Sequence, residues 1–133
     1  MAVITWKSDA ELLAERTKRL SAYINTVRDR CEQGGFAYNG WRFDSDAVSV
    51  TRINGAALAA QAALSAGEPF QIDWTDADNV SRTLDAEQML ALQRALVAHA
   101  DACHQLARHL KAQVEAGEIT TEAEIDAAAW PTP

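Results

Sequence analysis

The sequence predicts an α+β fold in which a long helix comes first, two β-hairpins are separated by a second helix, and a long and a short helix follow. Three observations predict it. Apolar residues recur at steps of three and four in two long stretches, apolar and polar residues alternate in short ones, and turn signals accompany the short stretches. We expect the hairpins to pair into one small antiparallel sheet covered by the long helices, because an isolated hairpin is marginal in water.

The first helix is predicted to begin after Ser8, which forms a capping box with Glu11 and so satisfies free amide groups. It ends at Gly34-Gly35. Its apolar residues form a narrow stripe, since most other positions are polar or charged. A stripe this narrow is typical of a coiled-coil seam. Four of its residues are predicted to form an oligomer seam or docking face, namely Leu13, Leu20, Ile24 and Val27.

Asn39-Gly40, between two short aromatic runs, predicts the first hairpin, because both central residues of a type I′ turn need a positive φ. The second helix is capped by Asp44 or Asp46 and ends at Gly67. A glycine inside a helix costs about 1 kcal/mol relative to alanine, so we expect another element to approach its small side closely. That side carries small residues at steps of four, which are Gly55, Ala59 and Ala63.

The second hairpin is predicted from PFQIDW, the turn residues TDAD and then NVSRTL. Pro69 suits the start of a strand. The alternation of Phe70, Ile72 and Trp74 places these three side chains on one face of the sheet. Aspartate and asparagine in the following segment supply the turn chemistry.

Asp85 caps the longest predicted helix, which runs to about Ala116. A helix of roughly 32 residues is about 48 Å long, whereas a compact domain of this chain length is about 36 Å across. Part of this helix should therefore project, and projecting helices with an apolar stripe commonly bind a second copy. A last short helix is predicted to start at Thr121, which pairs with Glu124 in a second capping box.

Length and charge limit the class of protein. A chain of 133 residues is predicted to be a single domain, 1–133, with a coiled-coil-like helix (1–35), a hairpin-helix-hairpin-helix core (36–117) and an acidic C-terminal helix and tail (118–133). The net charge of -7 would repel nucleic acid and anionic membranes, so neither is an expected partner. The start, MAVITWKSDAELL, becomes charged at once and predicts no signal peptide.

Charge is distributed unevenly along the chain. The segment 16–30 is basic, while no basic residue follows Lys111 and five acidic ones do. A basic helix and an acidic tail attract one another within one chain or between copies. Solvated surface faces explain the same asymmetry.

His99 and Cys103 are four residues apart and so share a helix face, a spacing that zinc or copper ligands use. His104 is adjacent to Cys103, Cys31 and His109 are the only other donors, and no C-x-x-C is present. A core thiol beside a partly buried histidine explains the spacing equally and is favoured. We therefore expect no metal, no cofactor and no catalytic residue.

Two other constellations are weaker. Asp73, Asp76 and Asp78 resemble a calcium loop, but the glycine and the distant glutamate of that loop do not follow, so a hairpin turn is favoured. Either cysteine with a histidine forms a nucleophile pair in principle, but both lie on apolar stripes, where thiols are inert.

Trp41 and Trp74 each lie in a predicted hairpin. The favoured interpretation places them in the core under the long helices. The alternative leaves one of them exposed as an anchor of an interface.

Three stretches, FAYNGWRFDSDAVSVTRINGAALAA, PFQIDWTDADNVSRTLDAEQMLAL and AHADACHQLARHLK, resemble a family of tailed phages and prophages called domain of unknown function 4376. The likeness covers about residues 36–112 and is most specific at the two hairpin-to-helix junctions. It implies a tail-associated protein or a tail-fibre assembly factor, and it carries over no catalytic residue.

The leading functional hypothesis is a phage or prophage tail-associated protein that is not an enzyme and acts by protein–protein contact in tail-fibre assembly or attachment. We expect a homo-oligomer whose partner is a tail fibre or another tail protein, in the host cytoplasm during assembly or in the virion tail. One alternative is a small cytoplasmic enzyme or metal-binding protein that uses His99 and Cys103. Another is a phage regulator that binds a host protein.

Overall fold

The computed structural model describes residues 6–133 and confirms the α+β class. The first five residues, on which the expectation about a signal peptide partly rests, lie outside the described range. In chain order the elements are α1 (Asp9–Gln33), β1 (Phe36–Tyr38), β2 (Trp41–Phe43), α2 (Ala47–Ala66), β3 (Gln71–Thr75), β4 (Ser81–Asp85), α3 (Ala86–Glu115) and α4 (Glu122–Asp126).

Local signals set most of these boundaries. Ser8 and Glu11 form the predicted capping box of α1, and Asp85 forms a second one with Gln88 at the start of α3. Asp46, rather than Asp44, caps α2. At α4 the expected box is only half formed: the Thr121 hydroxyl accepts from the Glu124 amide, but the Glu124 carboxylate accepts from the backbone amide of Thr120 and from the hydroxyl, not the backbone amide, of Thr121.

The two hairpins form separate two-stranded antiparallel sheets, so the expectation of a single sheet is wrong. In the first, Asn39 and Gly40 have the predicted positive φ values of 54° and 79°. The hairpins meet instead where the Ala77 amide donates to the Arg42 carbonyl at 2.8 Å and the Arg42 side chain pairs with the Asp78 carboxylate at 3.1 Å. The contact is made by the turn of the second hairpin, not by a strand edge, and so no ladder can continue across it.

The helix α3 is the central element of the fold and has buried residues along its length, from Ala86 to Val114. Its first half packs against both hairpins and α2 in one cluster, which includes Phe36, Phe43 and Ile53. Its second half packs against α1 and α4 in another cluster. The prediction that this long helix projects is therefore wrong, because neighbouring elements cover it along its whole length.

The outward side of α2 differs from its prediction. A Cβ on Gly55 would meet nothing within 4 Å, so no described element of the chain approaches there. The residues of α2 that face the core are Ile53, Ala57 and Ala60. Ala59 is exposed and Ala63 is only partly covered.

Within residues 6–133, the helices are all too short or too polar to span a bilayer.

Candidate functional site

The predicted seam of α1 divides into two halves. Leu20 and Ile24 are completely buried and Val27 is 8% exposed, all in the cluster formed with α3 and α4. Leu13, by contrast, is 49% exposed. Three of the four predicted interface residues therefore lie in the core of their own chain, because the seam of α1 meets the apolar stripe of α3.

In the described chain, the N-terminal part of α1 is not packed into the cluster with α3 and α4. Every residue from Trp6 to Glu15 is exposed, and the first buried residue is Leu20. Trp6 is 85% exposed and Leu12 is 51% exposed. Within the described residues, the first turns of α1 are thus the exposed end of the helix, and we call their apolar side chains Leu12 and Leu13, together with Trp6 just before the N-cap, the α1 ridge.

The acidic end of the chain returns onto the basic helix. The Tyr23 hydroxyl of α1 donates to the Asp126 carboxylate of α4 at 2.6 Å. This hydrogen bond, followed by burial, raises the pKa of Tyr23. The contact is a hydrogen bond from an uncharged hydroxyl, and none of the salt bridges of the described residues joins the basic segment 16–30 to the acidic tail, so the expected charge attraction stays a prediction.

Trp41 and Trp74 are both partly buried against the first core cluster. The Arg82 guanidinium lies 4.5 Å from the centre of the Trp41 ring, a cation–π contact. The geometry favours the core interpretation of both tryptophans over that of a free interface anchor.

Asp76 holds the turn of the second hairpin to its strand β4, a role that its place in a turn did not reveal. Its side chain is fully buried and accepts from the backbone amides of Asp78 and Val80, both at 2.9 Å. It also accepts from Arg82 Nε at 3.0 Å. The bond from Val80 is the largest cause that lowers the pKa of Asp76, helped by Arg82. This carboxylate is held ionised as an anchor of the turn, which is the opposite of a poised general acid.

The fold brings together Cys31, His99 and Cys103, which we call the thiol cluster. The two sulfur atoms are 3.0 Å apart, and Cys103 Sγ is 3.9 Å from His99 Nε2. The cluster lies where α1 ends against the middle of α3, between the two core clusters. Sequence spacing predicted the pairing of His99 with Cys103. His109, the other donor considered, is exposed and is not in the cluster.

Hydrogen bonds account for each polar hydrogen of the thiol cluster. His99 Nε2 donates to the Cys31 carbonyl at 3.0 Å, which fixes a proton on that nitrogen. The Cys31 thiol donates to the Pro131 carbonyl at 3.2 Å, so the Cys103 thiol donates to Cys31 Sγ. Burial, followed by the contact with Cys31, raises the pKa of Cys103 from 9.0 to about 12.

This shift predicts a loss of stability in alkaline solution. Because the folded pKa of Cys103 lies above the unfolded one, its contribution is complete below pH 9.0 and is lost as the pH rises towards about 12. Urea unfolding across this window should show about one proton more released on unfolding in the wild type than in Cys103→Ser. Equal pH slopes for the two proteins would contradict the prediction.

The family model described as Domain of unknown function (DUF4376) matches residues 15–129 of the chain. No curated protein and no solved structure matches the chain. The α1 ridge, which ends at Leu13, lies before the matched region, whereas the thiol cluster, Asp76 and both hairpins lie inside it. Because the match spans most of the 133 residues, the chain belongs to the DUF4376 family.

Proposed function

We propose that this protein acts by binding other proteins, as a phage or prophage tail-associated component in tail-fibre assembly or attachment, and that it self-associates through the α1 ridge. The observation that carries the self-association is the exposure of Leu12 and Leu13 on the first turns of α1, and of Trp6 just before its N-cap, in a segment whose residues from Trp6 to Glu15 are all exposed. The setting in a phage tail is supported by the resemblance at the hairpin-to-helix junctions.

The α1 ridge continues the stripe that α1 buries further along. Leu13 lies on the same side as Leu20, seven residues later, and Leu20 is completely buried. A helical segment as short as Asp9–Arg19 is marginal in water without tertiary contacts. A partner that covers the ridge would therefore extend the buried seam and stabilise these turns.

Charge favours a second copy of the chain as that partner. The helical segment Asp9–Arg19 carries three acidic residues followed by three basic ones, in the order Asp9, Glu11, Glu15, Arg16, Lys18 and Arg19. In an antiparallel pair of helices, the acidic turns of one copy lie opposite the basic turns of the other. Such a contact is self-complementary about a two-fold axis, which is the commonest symmetry of protein dimers.

The double variant Leu12→Lys/Leu13→Lys tests the self-association. We expect light scattering to give a dimer for the wild type and a monomer for the variant, with at least a tenfold weaker association, because lysines on both helices would repel. Circular dichroism and Tm at low protein concentration should change little, since both leucines are about half exposed. The matched control is Leu58→Lys on α2, which is 73% exposed and should remain a dimer. A wild-type monomer at high concentration would refute self-association.

Co-purification with the neighbouring tail-fibre protein tests the assembly role. We expect the two proteins to form a complex of defined stoichiometry when expressed together. If the fibre does not bind and a host protein binds instead, the chain is a regulator and the tail proposal fails. Comparing the fibre complex of the Leu12→Lys/Leu13→Lys variant with that of Leu58→Lys shows whether dimerisation is needed for fibre binding.

A further inference from the structure

We propose that Cys31 and Cys103 are a site of reversible oxidation, at which a small-molecule disulfide converts the two thiols into a disulfide that fastens the end of α1 to the middle of α3. The inference does not depend on the proposed function. It rests on the geometry of the thiol cluster, in which two sulfur atoms 72 residues apart in sequence lie 3.0 Å from each other.

The two thiols differ in solvent exposure, and this difference determines which of them reacts first. Cys31 is partly exposed, whereas Cys103 is completely buried. A reagent in solution therefore reaches Cys31 first. The raised pKa of Cys103 keeps it a thiol at neutral pH, so it does not compete for the reagent.

The exchange balances without any group beyond the reagent. The Cys31 thiolate attacks one sulfur of the small-molecule disulfide, forms a mixed disulfide and releases one small thiolate. The Cys103 sulfur then attacks Cys31 Sγ and displaces the second small thiolate. The protein loses two electrons and two protons, and the reagent takes them up to become two small-molecule thiols. A reducing thiol reverses both steps.

The same residues are also candidate ligands of a metal ion, but the geometry favours a disulfide over a metal site. Around a tetrahedral zinc ion with bonds of about 2.3 Å, two sulfur ligands lie about 3.8 Å apart, well beyond the 3.0 Å seen here. His99 Nε2 carries the proton that it donates to the Cys31 carbonyl, so that nitrogen has no lone pair for a metal. The described residues also offer three donors at this place rather than four.

Oxidised glutathione is the probe for the test, on the folded wild-type protein after reduction and removal of the reductant. We expect both thiols to become unreactive towards a thiol reagent, the intact mass to fall by two hydrogens without a glutathione adduct, and dithiothreitol to restore both. Because the crosslink closes a loop of 72 residues, Tm should rise on the order of 10 °C on oxidation.

Single variants separate the two steps. Cys103→Ser should retain glutathione on Cys31, since the resolving sulfur is absent, whereas Cys31→Ser should leave the buried Cys103 unmodified. The wild type would overturn the proposal if it kept glutathione on Cys31 or kept both thiols free. Stoichiometric zinc binding that protects both thiols, and that His99→Gln abolishes, would overturn it in favour of a metal site.

Discussion

Replacing Ile24 with alanine should lower the free energy of unfolding by about 3 kcal/mol and Tm on the order of 10 °C. Ile24 is completely buried between α1, α3 and α4. The substitution removes apolar contacts and leaves a cavity that rigid helices on three sides cannot fill. Urea unfolding followed by circular dichroism measures the effect.

Leu58→Ala is the matched control, since that side chain is 73% exposed on the outer face of α2 and should change stability by less than about 0.5 kcal/mol. The experiment also decides between two interpretations of the α1 stripe. If Ile24→Ala lost self-association but kept the stability of the wild type, Ile24 would belong to an oligomer seam after all. A charged residue at Leu20 or Ile24 is a poorer probe, because it would unfold the chain and abolish every contact together.

The stripe on α1 shows how far a periodic pattern can be interpreted. Apolar residues at steps of three and four predict the helix and its buried side correctly, as Leu20 and Ile24 demonstrate. The same pattern arises whether the partner helix belongs to the same chain or to another. Length alone predicted that α3 projects, but α1 and α4 cover the second half of α3, and within residues 6–133 it is the start of α1 that is exposed.

The turns were predictable because their chemistry is local. Asn39-Gly40 gives the positive φ values that a tight turn needs, and Asp85 caps the helix that follows it. The approach of Cys31 to Cys103 spans 72 residues and depends on how α1 crosses α3. No local pattern records that crossing, so only the spacing of His99 and Cys103 within one helix could be predicted.

The stabilising role of Asp76 predicts a second large effect. Asp76→Ala should lower Tm on the order of 10 °C, because two backbone amides and Arg82 lose a buried acceptor together. Once released, Arg82 should also leave the ring of Trp41, 4.5 Å away, and change its fluorescence. Differential scanning calorimetry and tryptophan emission measure the two effects.

Two variants separate the parts of this anchor. Asp76→Asn keeps an oxygen for the backbone amides but removes the charge that pairs with Arg82, so its loss of stability should be smaller than that of alanine. Asp73→Ala is the control, since Asp73 is exposed and accepts only from the Thr83 hydroxyl among the hydrogen bonds of the described residues.

The pKa of Asp76 lies below its ordinary value of 3.8, so the stabilisation by Asp76 is complete above that pH and is lost as the pH falls through the lowered pKa. The difference between wild type and Asp76→Ala should therefore shrink in strong acid. A difference that stayed constant there would mean that the ionised carboxylate does not stabilise the second hairpin.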